Sequence, residues 1–119
     1  MDNDVEEFFD QGIQKFNTDA YDEAINIFKK VLEMNPSHPD ALYYSALAWA
    51  NKGDYDRAIS DFTKALEKDP FDTDSWVGRG EAWQIKGKIK RALADFKRAV
   101  SIDPDNPDYQ KLVSDLEEK

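Results

Sequence analysis

Apolar residues recur at helical spacing in seven stretches of the chain. In the first stretch, Val5, Phe8, Phe9, Ile13 and Phe16 lie three or four residues from one another or adjacent, which predicts an amphipathic helix over about 4–17. The same pattern predicts helices over about 20–34, 39–52, 55–68, 72–85, 89–102 and 106–118. We therefore predict an all-α chain with seven helices.

Turn residues separate these helices in a regular order. Gly53 and Gly87 lie inside the second and third helix pairs, and Asp19 stands at the corresponding place in the first pair. Asp tolerates the left-handed backbone that such a turn needs, at some cost. Each pair then ends at a proline, because the residue before a proline disfavours the helical conformation. These prolines are Pro36, Pro70 and Pro104.

The residue pattern returns every 34 positions, which is typical of a repeat array. In the first copy the recurring residues are Phe8, Gly12, Ala24, Phe28, Val31 and Pro36; in the second they are Leu42, Ala46, Trp49, Ala58, Phe62, Ala65 and Pro70; in the third they are Trp76, Gly80, Trp83, Ala92, Phe96, Ala99 and Pro104. The small residues allow paired helices to approach closely, and the aromatic residues fill the volume beside that contact.

This pattern resembles the tetratricopeptide repeat, in which tryptophan, glycine, alanine, phenylalanine and proline stand at these offsets. The resemblance implies a right-handed α-solenoid of three antiparallel helix pairs, followed by a half-polar helix that caps the last apolar face. It implies one domain over 1–119, with repeats at about 5–38, 39–72 and 73–106 and the capping helix at about 106–118. The leucine of the motif is replaced by Gln11, Ser45 and Arg79, so this position is weakly apolar in every copy.

The composition excludes several classes of function. The chain has 119 residues, enough for one elongated core, and it contains no cysteine, so disulfides and thiolate chemistry are excluded. Its formal net charge of −9 argues against nucleic acid as a partner of the whole chain. We find no secretory signal pattern and no apolar run of membrane-spanning length, so we expect a cytoplasmic protein that does not bind membranes.

Catalytic chemistry is not indicated. The single histidine, His38, lies at a turn between Pro36 and Pro39, where we expect a solvated side chain and not a general base. No glycine-rich phosphate loop is present, and we expect no small-molecule substrate, cofactor or metal. The three tryptophans fall at motif positions, so we interpret them as packing residues and not as a ligand cage.

The residues that the motif does not require are more informative about function. In tetratricopeptide arrays the first helices of the repeats line up to form a concave groove. The residues predicted to line that groove are Phe9, Ile13, Phe16, Tyr43, Tyr44, Leu47, Asp74, Val77 and Glu81. This set is apolar and acidic with no basic member, which predicts a partner protein segment that carries both aliphatic and Lys or Arg side chains.

One known type of groove can be compared directly. Tetratricopeptide domains that clamp the acidic C-termini of heat-shock chaperones use Lys, Asn, Asn, Lys and Arg along the groove. The matching positions here are Phe9, Ile13, Tyr44, Asp74 and Gly78, and none of them agrees. Asp74 would repel a carboxylate, so we do not expect a ligand of the carboxylate-clamp type.

A basic stretch in the third repeat leaves two alternatives open. Residues 79–98 include seven basic and two acidic residues, a net charge of +5. The patch that we predict for an anionic partner consists of Lys88, Lys90, Arg91, Lys97 and Arg98. The first alternative is a structural protein that self-assembles through an acidic N-terminal and a basic C-terminal end. The second is an anion or nucleic-acid binder, although no interleaved aromatic residues support binding of single strands.

Overall fold

A computed structural model describes residues 2–118, so Met1 and Lys119 of the predicted domain lie outside the described residues. Within this range the chain forms seven α-helices and no β-strand, which confirms the predicted fold class. The helices are α1 (Asp2–Asn17), α2 (Tyr21–Met34), α3 (Pro39–Asn51), α4 (Tyr55–Lys68), α5 (Thr73–Ile85), α6 (Ile89–Ile102) and α7 (Pro107–Glu117). None of them is long and apolar enough to cross a membrane.

The turns inside the three helix pairs have left-handed backbone, as the sequence predicts. Gly53 and Gly87 have φ values of 87° and 79°. Asp19 has a φ of 63° and is the one non-glycine residue with a positive φ among residues 2–118. The Asp19 turn is held by the hydroxyl of Tyr21, which donates to the Asp19 carboxylate at 2.8 Å.

The environment of His38 differs from the prediction. We expected a solvated turn residue, but His38 is only 6% exposed and caps the N-terminus of α3. Its Nδ1 accepts a hydrogen bond from the Ala41 backbone N–H at 3.1 Å, and its Nε2 lies 3.3 Å from a Glu6 carboxylate oxygen. The imidazole also packs against the Phe9 ring, with 4.8 Å between centroids. A histidine that caps one helix and contacts another has a structural role. The prediction of a solvated turn residue missed this role.

The core is built from small residues opposite large aromatic ones. Phe28, Phe62 and Phe96 are almost fully buried, and the alanines one turn earlier on the same helices, Ala24, Ala58 and Ala92, are fully buried. At Gly80 an added Cβ would lie 2.5 Å from the Phe96 ring, so only glycine allows this approach without displacement. Leu116 of α7 is 4% exposed and joins Ala92 and Phe96 in one cluster, which confirms that α7 covers the last apolar face.

Contacts between the helices show how the repeats stack. Each helix packs against the next one in the chain, as expected for stacked hairpins. In addition, α1 contacts α3 and α3 contacts α5, so the first helices of the three repeats approach one another on one side. This is the side that the resemblance to tetratricopeptide arrays predicts to be concave. The array measures 48 × 26 × 21 Å.

Candidate functional site

The nine residues predicted to line the groove come in equal numbers from α1, α3 and α5, the three helices of the concave side. The seven apolar and aromatic members are half-buried, so each presents part of its surface to solvent. The two acidic members, Asp74 and Glu81, are exposed. We call this set the concave surface.

An aromatic cluster joins the part of the concave surface that belongs to α1 and α3. The Tyr44 ring lies 6.0 Å from Phe9 and 5.5 Å from Phe16, measured between centroids, and both pairs meet edge to face. Tyr43 lies 5.3 Å from Tyr44 in the same geometry. Tyr44 also stacks on the buried Phe28 at 6.3 Å. These side chains therefore stabilise the boundary between the first two repeats with one side and face solvent with the other.

Asp72, Asp74 and Glu81 lie close enough to Tyr43 for their charges to affect its hydroxyl. Burial raises the pKa of Tyr43 to about 12, and the negative charges of Asp74, Asp72 and Glu81 contribute to the increase. At neutral pH the hydroxyl is therefore a firm hydrogen-bond donor. Because the three carboxylates act on one hydroxyl of α3, the acidic and the aromatic parts of the concave surface adjoin.

Glu81 is the acid of this surface whose protonation is most affected by its surroundings. Partial burial raises the pKa of Glu81 above the usual value for glutamate, although the residue as a whole is exposed. Within residues 2–118, neither Asp74 nor Glu81 forms an ion pair. A cation placed beside Glu81 would favour the charged form and lower this pKa.

The apolar members of α3 and α5 continue into the core. Tyr43 and Leu47 pack against the cluster of Ala46, Ala58 and Phe62, and Val77 packs against the cluster that contains Phe96. Their exposed portions are therefore held in fixed positions by buried neighbours. A surface of this kind loses little conformational entropy when a ligand binds.

The structure divides the predicted basic patch. Lys88, Lys90 and Arg91 lie together at the hairpin between α5 and α6. Lys97 instead extends toward α7, where its ammonium lies 3.5 Å from a Glu117 carboxylate oxygen. The Arg98 guanidinium lies 5.7 Å from the ring centroid of Trp76.

The three tryptophans are half-buried, and basic side chains cover their outer faces. The guanidinium carbons of Arg57 and Arg91 lie 4.7 Å from the ring centroids of Trp49 and Trp83. Trp76 donates its indole N–H to the Pro70 carbonyl oxygen at 2.8 Å. These contacts agree with a packing role, with cation–π stacking as an addition that sequence reasoning did not anticipate.

A buried ion pair is the main feature that sequence reasoning missed. Arg79, predicted to lie at a weakly apolar position, donates two hydrogen bonds of 2.9 Å to the carboxylate of Asp95, which is 4% exposed. It donates a third to the Thr63 hydroxyl at 3.1 Å. The signal was available, because Ser45 and Asp61 stand at the same spacing one repeat earlier and also form a hydrogen bond.

In the part of the chain that the structure describes, no group of three His, Cys, Asp or Glu side chains could hold a metal ion. His38 is engaged by Ala41 and Glu6, so it is not a free base. The arrangement on the concave surface can therefore bind a ligand through apolar contact, a phenolic donor and carboxylates.

Comparison with known proteins identifies the fold. A profile of the tetratricopeptide repeat family matches residues 9–73 and again 51–107. A search of curated proteins gave no significant match. Solved structures match the fold over nearly the whole chain, at identities below 25%.

Three of these structures were solved with peptides. The first tetratricopeptide domain of Spaghetti (RPAP3), bound to the HSP90 peptide SRMEEVD, has a TM-score of 0.90 and 23% identity, over 96% of this chain and 90% of that chain. The second tetratricopeptide domain of human RPAP3, in complex with the HSP70 peptide SGPTIEEVD, has a TM-score of 0.86 and 24% identity, over 92% of each chain. The Yersinia enterocolitica type III secretion chaperone SycD, in complex with a peptide of the translocator YopD, has a TM-score of 0.86 and 15% identity, over 98% of this chain and 88% of that chain. Since the family profile covers most of the sequence and the fold agrees throughout, the chain belongs to the tetratricopeptide repeat family.

Proposed function

We propose that this protein is a non-catalytic scaffold that binds a segment of a partner protein on its concave surface. The proposed units are the repeats at about 5–38, 39–72 and 73–106, with the capping helix at about 106–118. We place the scaffold in the cytoplasm, since a chain without cysteine is compatible with a reducing compartment. The observation that carries the proposal is the junction at Tyr43, where rigid aromatic surface meets unpaired carboxylates.

The chemistry of the concave surface favours a partner with both apolar and basic side chains. Phe9, Phe16 and Tyr44 offer half-exposed ring edges to aliphatic side chains. Asp74 and Glu81 have no basic partner within the described residues and are free to pair with Lys or Arg of the ligand. Tyrosine is among the residue types enriched in binding hot spots.

The arrangement also favours one order of residue types along the bound segment. Its aliphatic residues would contact α1 and α3, where the aromatic cluster lies, and its basic residues would contact α5, which carries both carboxylates. We therefore propose a segment whose apolar and basic residues are separated along its length. An extended strand or an amphipathic helix can supply such a segment.

The peptides bound by the two RPAP3 domains are acidic, and this chain does not offer them a matching surface. Asp74 stands where the clamp type has a lysine, and Gly78 stands where it has an arginine. A Cβ added at Gly78 would lie 2.5 Å from the Phe62 ring, so the local packing also resists a larger side chain there. These neighbours support the proposal that this chain binds a peptide. We propose that its peptide is basic, in contrast to the acidic peptides of the RPAP3 domains.

A random peptide library displayed on phage and selected on the purified protein tests the proposal. We expect enriched peptides to combine aliphatic residues with Lys or Arg, and to lose binding to the double variant Tyr43→Ala, Leu47→Glu. The charge reversal Asp74→Lys, Glu81→Lys should shift the enrichment toward Asp and Glu. Circular dichroism of each variant verifies that helicity is retained. Enrichment of peptides that bind all variants equally would refute the concave surface as the site.

A further inference from the structure

The hairpin between α5 and α6 has a different surface from the equivalent hairpins of the first two repeats. Ile85 is 61% exposed and Ile89 is 39% exposed, which is unusual for large apolar residues in this chain. The equivalent residues in the second repeat are Asn51 and Tyr55. Two aliphatic side chains thus present apolar surface to solvent at this hairpin.

Basic residues surround these isoleucines. Lys88, Lys90 and Arg91 follow Gly87 directly and are all exposed, and within residues 2–118 neither lysine forms an ion pair. Lys90 and Arg91 stand in the first turn of α6, which contains no acidic residue. Positive charge at a helix N-terminus opposes the helix dipole, so this arrangement is locally unfavourable.

In the first two repeats, an aspartate near the start of the second helix forms an ion pair with a lysine of the next repeat. Lys52 of the second repeat pairs with Asp22 of the first, and Lys86 of the third pairs with Asp56 of the second. The next member of the series Asp22, Asp56 is Lys90. In the third repeat a lysine therefore stands where the first two repeats have an aspartate that binds a lysine. This position attracts a carboxylate instead.

The complementary surface is present in the same chain. Asp4, Glu7 and Asp10 of α1 are exposed, and Val5 and Phe8 between them are half-buried. The single basic residue of α1 is in its last turn. Within the described residues α1 packs mainly on α2 and α3, and its acidic residues Asp4, Glu7 and Asp10 remain exposed.

We propose that the hairpin surface, formed by Ile85, Lys88, Ile89, Lys90 and Arg91, binds the acidic face of α1 in a second copy of this chain. The two surfaces belong to opposite ends of the 48 Å array, so two antiparallel copies make the contact twice and a staggered row of copies makes it repeatedly. The net charge of −9 on each copy opposes association only weakly at physiological ionic strength, because charges separated by more than the screening length of about 8 Å interact little.

Sedimentation equilibrium of the purified protein at physiological ionic strength tests this contact. We expect a mass of two or more chains for the wild type, which falls to one chain in Lys88→Glu, Lys90→Glu and in Asp4→Lys, Glu7→Lys. An equimolar mixture of the two variants should restore the association, because each carries the complement of the other. The variant Lys29→Glu, Lys30→Glu changes the net charge equally on α2 and should keep the wild-type mass.

Three results would overturn the proposal. They are a wild-type mass of one chain at every concentration, an association that the charge reversals leave intact, and a mixture that stays monomeric. If the wild type is monomeric but binds vesicles of anionic lipid through Lys88 and Lys90, the hairpin serves a membrane surface and the proposed contact is refuted. The concave variant Tyr43→Ala, Leu47→Glu should keep the wild-type mass, so failure of this contact is distinguishable from failure of the proposed peptide site.

Discussion

The two boundaries between repeats use equivalent positions in different ways. At the boundary between the second and third repeats, Arg79 forms a bidentate pair with the buried Asp95 of its own repeat and donates across the boundary to the Thr63 hydroxyl. At the boundary between the first and second repeats, the equivalent residues Ser45 and Asp61 are joined by one hydrogen bond of 2.7 Å within the second repeat. The backbone framework is the same at both boundaries, so the comparison shows what an arginine adds at this position.

The consequence is a closed boundary in one case and an open one in the other. A cleft of about 480 Å³ lies over Ser45 and Asp61, with Lys29 and Lys64 among its lining residues. Burial raises the pKa of Asp61, and the hydrogen bond from Ser45 and the charge of Lys64 offset only part of that effect. The framework residues therefore determine how the repeats stack, while the polar residues at each boundary determine whether a cleft remains there.

The largest effect that separates the boundaries is expected from Arg79→Met. Methionine keeps the apolar stem but leaves Asp95 buried without its charged partner, so we expect a loss of about 3–5 kcal/mol in the free energy of unfolding. Ser45→Ala is the matched control at the equivalent position, and its loss should be about 1 kcal/mol. Urea denaturation of both variants measures the difference, and equal losses would refute the distinction between the two boundaries.

A second difference concerns the aromatic contact at each boundary. Tyr44 stacks on Phe28, whereas its equivalent, Gly78, lies directly under the Phe62 ring. In Gly78→Ala the added Cβ must displace that ring, at a cost that outweighs the better helix propensity of alanine. We expect a net loss of about 1 kcal/mol in thermal or urea unfolding. An increase in stability would show that the second boundary has room that the geometry does not indicate.

The open boundary should become closed when the residues of the second one are transplanted. The double variant Ser45→Arg, Lys29→Thr places the equivalents of Arg79 and Thr63 around Asp61. We expect a gain of about 1 kcal/mol in the free energy of unfolding, because the half-buried carboxylate acquires a charged donor. The single variant Lys29→Thr controls for the loss of a lysine. Destabilisation by the double variant alone would mean that Asp61 is not placed as Asp95 is.

The smallest expected effect is a dependence on pH at the open boundary. The folded protein holds the proton of Asp61 more tightly than the unfolded chain does, because burial raises its pKa. The stability that this group provides is therefore greatest at low pH and decreases as the pH rises through the ordinary aspartate value and the raised folded value. Asp61→Asn removes this dependence, so its stability relative to the wild type should rise over that range. A constant difference between pH 3 and 7 would contradict the raised pKa.

Sequence reasoning predicted the framework well because the framework is periodic. Ala58, Phe62 and Gly53 each recur one repeat away, and the predicted helix bounds agree with the structure within two residues. It was less successful where a residue departs from the repeat. His38 was predicted to be solvated, although it caps α3 through Ala41 and contacts Glu6, 32 residues away. Arg79 was predicted to lie at a weakly apolar position, because its partner Asp95 lies 16 residues away on the next helix.

The candidate site was predictable in part for the same reason. The periodicity placed the nine residues of the concave surface on three helices of one side. It did not show that Tyr44 stacks on Phe28 or that the carboxylates of α5 act on Tyr43, since those contacts depend on how closely the helices approach. These contacts determine how much of each side chain remains available to a partner.

The central claim is that partners bind the concave surface, and NMR titration of labelled protein with an enriched library peptide tests it most directly. We predict that amide shifts concentrate in α1, α3 and α5, around Tyr43, Leu47 and Glu81. Shifts concentrated in α2 and α4, around Lys29 and Asp61, would show that the open boundary is the binding surface and would contradict the account.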